Sequence, residues 1–101
     1  MANFSEETIQ KVWEKAQIVP GYDSSVFRKD QCKAWIQRDL YGVRNHDFGW
    51  EIDHITPVSK GGGDNLSNLR PLNWLNNASR QDDRLSCKIT SDGNHNVRCA
   101  D

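Results

Sequence analysis

No run of apolar residues in this chain comes near the roughly 20 that a membrane-crossing helix requires. Met1 does not lead into an apolar leader either, because Glu6, Glu7, Lys11 and Glu14 interrupt the first stretch. Both absences point to a soluble, cytoplasmic protein. Cysteine is scarce: Cys32, Cys87 and Cys99 are an odd number and include no C-x-x-C pair. That excludes a zinc knuckle and a dense disulfide framework. In a cytoplasmic chain these residues read as free thiols, and a disulfide or partial metal site among Cys87, His95 and Cys99 stays open. A surplus of positive charge is also missing, since 13 Lys and Arg stand against 14 Asp and Glu for a net charge of −1. Nucleic-acid binders usually show a basic excess. Here the excess is only local, from Arg28 to Arg44, where Arg28, Lys29, Lys33, Arg38 and Arg44 face Asp30 and Asp39. A local patch can still attract phosphate. Repeats and low-complexity blocks are absent.

The length of 101 residues bounds the chain to one domain, residues 1–101. Four tryptophans bring large apolar surfaces and argue for a packed core. Residues 5–16 read as a helix: Ser5 caps it, Glu6 and Glu7 suit its first turn, and Ile9, Val12, Trp13 and Ala16 share a face. Pro20-Gly21 ends it. Residues 22–31 are polar and irregular, and 32–41 form a short element of open type. Residues 50–58 read as a strand closed by Pro57, and Gly61, Gly62 and Gly63 make the turn after it. Residues 69–72 are a second strand, and 73–84 a helix that Asn73 can cap. From Ser86 onward the chain reads as a loose polar tail, 86–101. The predicted class is α+β.

Chemistry concentrates in the middle of this pattern. Asp53-His54 interrupts an apolar strand, and a buried polar pair is costly unless partnered. Neighbouring strand residues point to opposite faces, so one site can use both only where the strand twists or bulges. A hairpin brings Asn68 toward His54, and a helix folded across it brings Asn77 toward Asp53. One imidazole, one carboxylate and two amides around a pocket suit Mg²⁺ or Mn²⁺ with room for water and phosphate.

Asp53-His54, thirteen residues, Asn68, eight residues and Asn77 resembles the HNH nuclease motif of the ββα-metal, or His-Me finger, group. The flanking residues agree: Glu51-Ile52 and Ile55-Thr56-Pro57-Val58-Ser59-Lys60-Gly61-Gly62, then Asp64, then Leu66-Ser67 and Leu69-Arg70-Pro71-Leu72. The likeness covers 50–83. Upstream, 28–32 and Tyr41-Gly42 are similar to small bacterial and phage members. The resemblance implies a two-stranded antiparallel hairpin plus helix, here with an added N-terminal helix. It implies a metal-dependent endonuclease, acting on double-stranded DNA and leaving 5′-phosphate and 3′-hydroxyl ends. His54 would be the general base, histidine being the side chain whose ordinary titration lies nearest neutral pH. Asn68 would orient the imidazole, and Asp53 and Asn77 would bind one divalent ion. Arg80, on the helix face of Asn77, is the foremost phosphate contact, with Lys60 and Arg70 beside it. Asn73 and Asn76 read as cap and surface.

Two departures matter. Asn77 stands where the family name has histidine, and asparagine there is a family alternative. Many relatives also hold a structural zinc with two C-x-x-C pairs. The matching places here are Cys32 and Trp35, then Asn73 and Asn76, so one thiol remains and no four-ligand zinc is expected. Packing around Trp35 and Trp74 is expected to replace it. A single site nicks one strand at a time. Two other readings are a catalytically silent nucleic-acid-binding module and an RNA-cleaving nuclease. No separate recognition module is visible, so sequence specificity is limited or comes from a protein partner.

Overall fold

The computed structural model describes residues 3–81 and 84–99. Helix α1 (Glu6–Trp13) comes first, then strands β1 (Phe27–Lys29) and β2 (Trp35–Gln37). Strands β3 (Trp50–His54) and β4 (Leu69–Asn73) lead into helix α2 (Trp74–Ala78), and β5 (Ile89–Asp92) and β6 (His95–Arg98) close the order. The strands pair as three antiparallel hairpins, β1–β2, β3–β4 and β5–β6. The fold is α+β, and β3–β4–α2 is a ββα unit. Of the expected spans, positions 1–2, 82–83 and 100–101 lie outside the described residues.

Helix α1 begins as its sequence predicts, with the Ser5 hydroxyl accepting from the Thr8 amide. It ends three residues before Ala16, because the Lys15 and Ala16 amides turn to the carbonyls of Val12 and Trp13 in tighter three-residue bonds. Its buried face, Ile9, Val12 and Trp13, packs with Ala16 against Ile36, Trp50, Ile52 and Leu69. Trp13 and Trp50 meet at 5.3 Å between ring centroids. Each such side chain contributes about 1.5–3 kcal/mol by leaving water. The β3–β4 register runs unbroken from Trp50 opposite Asn73 to His54 opposite Leu69. Alternation therefore sends Trp50 and Ile52 to the α1 core and Glu51 and Asp53 toward α2.

Several expectations change. The stretch 22–31 contains β1, which pairs with β2 from within the segment of open type. The helix expected over 73–84 stops at Ala78, and Asn73 does cap it through a bond from the Leu75 amide. The Ser79 hydroxyl donates to the Leu75 carbonyl, a local bond that competes with helix continuation. Asn73 and Asn76 are not at the surface; both are fully buried.

The expected loose tail carries the β5–β6 hairpin instead. Side-chain amides tie it down, which an apolar pattern does not reveal. Asn76 Oδ1 accepts from the Lys88 and Ile89 amides, both at 2.8 Å. Asn96 Oδ1 accepts from the Trp35 amide at 2.7 Å, and its Nδ2 donates to the carbonyls of Trp35 and Asp47.

The free-thiol expectation also falls, because Cys32 and Cys87 form a disulfide and Cys99 is the free cysteine. The pairing is set by the tertiary fold, which brings residues 55 apart in sequence together. Disulfides persist in oxidising surroundings, which sets this one against the cytoplasmic expectation. Among the described residues no helix is long and apolar enough to cross a membrane. Reducing Cys32–Cys87, or replacing Cys87 by Ser, should cost about 2–4 kcal/mol of stability. Denaturant melts with and without reductant check this, and Cys99→Ser should leave the midpoint unchanged.

Candidate active site

The end of β3 and the loop after it hold the predicted residues. His54 is the last residue of β3, and its ring lies 6.0 Å from Phe4. Its Nε2 is 2.7 Å from Asp64 Oδ1, and Nδ1 has no partner among the described residues. An ionised carboxylate accepts and does not donate. In the neutral ring, Asp64 therefore favours the tautomer protonated on Nε2, which places the lone pair on Nδ1.

Asn68 does not touch the imidazole. Its Oδ1 accepts from the Thr56 amide at 2.7 Å, and its Nδ2 donates to the carbonyls of Thr56 and Gly63 at 3.1 and 2.8 Å. It staples the loop that carries Asp64, and so acts on His54 through that loop. Gly62 is required there, since a Cβ would sit 1.8 Å from the Thr56 carbonyl oxygen.

On the opposite face of β3, Asp53 is almost fully buried. Arg70 Nε donates to its Oδ2 and Arg80 Nη1 to its Oδ1, each at 2.7 Å. Arg80 also donates to the carbonyls of His54 and Ile55, so its fork clamps the strand end. Its side chain is 8% exposed, which spends it internally rather than on solvent-borne phosphate. Lys60 lies exposed in the turn Val58–Lys60.

Asn77 extends from α2 to Glu51, donating from Nδ2 to Oε1 at 2.8 Å. The helix thus brings Asn77 to Glu51, and Arg80, just past its end, reaches Asp53, two residues along the same face of β3. Arg44 grips Glu51 with two bonds, at 2.7 and 2.8 Å. Partial burial pushes the Glu51 carboxyl up, but bonds from Arg44 and Asn77 and the Arg44 charge outweigh it, and the net shift is downward. Glu51, Asn77, His54 and Arg44 line one cavity of about 480 Å³, and Asp53 lies behind it outside the lining.

Sequence reasoning missed Asp64 and Glu51 as site members. Glu51 was legible in principle, because a strand places it on the Asp53 face. Asp64 reaches His54 through loop shape, for which the sequence signal was only its place after the glycines.

A divalent ion, implied by the resemblance, asks for hard oxygen donors. Each Asp53 oxygen takes one guanidinium N–H and keeps a lone pair, and Asn77 Oδ1 has no partner among the described residues. This donor chemistry fits Mg²⁺ or Mn²⁺, in competition with Arg70 and Arg80. Among the described residues no cluster of three or more His, Cys, Asp or Glu forms.

Three of the four places that the resemblance assigned to zinc-holding thiols, Cys32, Asn73 and Asn76, bond to Asp30. Its Oδ1 accepts from the Cys32 and Ala34 amides, and its Oδ2 from the Asn73 amide and Asn76 Nδ2. Burial pushes the Asp30 carboxyl above its ordinary value, and these donors pull the other way. Trp35, buried beside them, donates from its indole to the Gly93 carbonyl. Trp74 is only partly buried and donates to the His46 carbonyl.

Asn68→Ala removes three bonds across the loop, each worth about 0.5–1.5 kcal/mol net. It should speed amide exchange at Thr56 and lower stability by about 1–3 kcal/mol, as hydrogen-exchange NMR and thermal melts would record.

Among known families, the HNH endonuclease model matches residues 44–78. No curated protein and no solved structure matches the chain.

Proposed function

We propose that this chain, whose residues 44–78 match the HNH endonuclease model, hydrolyses phosphodiester bonds of DNA with His54 as general base. The observation that carries this reading is the imidazole itself. A carboxylate holds His54 Nε2, Nδ1 is unengaged among the described residues, and the ring walls a cavity shared with Asn77.

In the proposed step, His54 Nδ1 takes a proton from water as its oxygen bonds to phosphorus. The bond from phosphorus to the 3′ oxygen breaks, and that oxygen gains a proton from solvent. The ends are a 5′-phosphate and a 3′-hydroxyl. Asp53 and Asn77 would hold a divalent ion, which when bound supplies charge stabilisation to the phosphate oxygens. Asp64 keeps Nδ1 in its proton-accepting form, and Asn68 keeps Asp64 in place through the loop. Glu51 holds the Asn77 side chain by its amide nitrogen and leaves the amide oxygen to face outward. One such site cuts one strand per encounter, which makes a nick the elementary product.

Supercoiled plasmid incubated with Mg²⁺ or Mn²⁺ should relax to open circles. His54→Ala should lower that rate by about 10²–10⁴ without changing the melting temperature much. Asp64→Ala should lower kcat roughly tenfold, from a hydrogen bond to a charged group worth about 1.5 kcal/mol, and leave KM unchanged. In a His54→Ala background it should have no further effect. Undiminished cutting by His54→Ala would remove the nuclease assignment to this site. Equal loss from Asp64→Ala in both backgrounds would remove only the pairing.

A further inference from the structure

Between the end of α1, the β1–β2 turn and β4 lies a second groove of about 330 Å³. Lys15, Gln17, Gln31, Lys33 and Arg70 line it, with the buried Asp30 at its floor. We infer that this groove is a phosphate-binding site for the nucleic-acid strand, with Lys33 as its fixed cation and Arg70 as its link to Asp53.

The charge balance is the first argument. Lys33 Nζ donates to Gln17 Oε1, and Lys15 Nζ to the carbonyls of Leu66 and Leu69. These acceptors are neutral, so both ammonium charges go uncompensated by their contacts. Arg70 shares the single Asp53 carboxylate with Arg80, which leaves two cations against one anion. Asp30, the groove's one acid, accepts only from neutral N–H donors and keeps its charge, so the lining sets Lys15, Lys33 and Arg70 against a single acid. A chain of net charge −1 thus keeps a positive groove. Concave positive sites concentrate anions.

The backbone is the second argument. Lys33 is the one non-glycine residue with positive φ among those described, at 68°. Glycine or asparagine would hold that conformation with less strain. The turn is nevertheless fixed around Lys33: its amide donates to the Asp30 carbonyl, and the Cys32 and Ala34 amides both donate to Asp30 Oδ1. Strain held in place by surrounding bonds marks positions kept for function. A lysine there presents its charge from a rigid turn.

Arg70 joins this groove to the cleavage site. Its Nε holds Asp53 Oδ2 and its Nη1 reaches Gln31 Oε1 at 3.4 Å. Arg70 thus touches both the groove and the Asp53 carboxylate on β3. Only the identity of the ligand rests on the nuclease reading; the positive groove stands apart from it.

The test is binding without cleavage. A fluorescent DNA duplex is titrated with the full chain in EDTA across a salt series, and anisotropy is read. Lys33→Gly removes the charge and the strained φ together, so its melting temperature should equal or exceed that of the parent. Its affinity should fall about eightfold at 0.1 M salt, and its log-log salt slope should be shallower by about 0.9, the loss of one phosphate contact. Lys11→Gln, the same charge change on an exposed helical residue, should leave the isotherm unchanged. Identical isotherms for Lys33→Gly and the parent overturn the inference, as does an equal loss from Lys11→Gln or no duplex binding at all. Sodium phosphate at matched ionic strength tests the other source of this chemistry. If it shifts the Lys33 amide resonance while duplex binding ignores Lys33, the groove takes a free ion and the inference fails. His54→Ala should bind like the parent while cutting poorly, so loss of the nuclease reading and loss of the groove give different results.

Discussion

Asp30 accepts four hydrogen bonds from two separate stretches of chain, and the rest of the structure is arranged around that carboxylate. Two bonds close the turn between β1 and β2. One comes from the Asn73 amide where β4 becomes α2, and one from the Asn76 side chain within α2. Asn76 passes the link onward by accepting from Lys88 and Ile89, which seats the last hairpin. Cys32, inside the same turn, is bonded to Cys87 just before that hairpin. A buried carboxylate is costly unless its lone pairs are filled, and here each oxygen has two donors. The arrangement is stable as a set and intolerant of piecemeal loss, because removing one member leaves buried polar atoms unpaired.

That junction decides where the site residues point. Helix α2 is only five residues long, too short to be stable by itself, so its direction comes from Asn73 and Asn76. With those two fixed to Asp30, Asn77 is directed toward Glu51, and Arg80 beyond the helix reaches Asp53. A helix running on to residue 84 would carry its side chains around its own axis. The bend after Ala78 instead lets one guanidinium satisfy Asp53 and two strand-end carbonyls. In this chain the junction is held by a carboxylate, two asparagines and a disulfide. The placement of α2 against β3 depends on it directly.

The parts legible from sequence were those written in local pattern. The α1 face, with Ser5 as cap, followed from helical spacing. The β3–β4 pair followed from strand formers on either side of three glycines. Asn68 and Asn77 came from spacing, which carries the family likeness but not the contacts. The misses share one physical cause: long-range polar contacts leave no periodic trace. The β5–β6 hairpin is polar on its surface and is anchored by Asn76 and Asn96, so nothing apolar announced it. Asn76 looks like a surface residue because its burial depends on Asp30, 46 positions away. Asp64 looks like a turn residue because only the folded loop, stapled by Asn68, brings it to His54. Arg80 shares a helical face with Asn77 on paper, and that geometry held well enough to bring it to Asp53 but turned it inward.

Net charge is the other place where a whole-chain number misleads. The balance of 13 cations against 14 acids counts every guanidinium equally. In the fold, Arg28 is buried and donates to the carbonyls of Ser24, Glu14 and Ala16, Arg38 reaches Gln10 and Glu6, and Arg44 is clasped by Glu51. Arg70 and Arg80 share Asp53. Most of the basic cluster at 28–44 is therefore structural, and it does not form the surface that its composition suggests. The charge best placed to meet a ligand belongs to exposed cations whose partners are neutral, and Lys15 and Lys33 are of that kind, whereas Arg28, also on neutral carbonyls, is buried. Attraction for a polyanion depends on where unpaired charge lies, because paired charges cancel within a Debye length of about 10 Å at 0.1 M salt. A chain of net charge −1 can then be locally positive where lysines on neutral partners stand together.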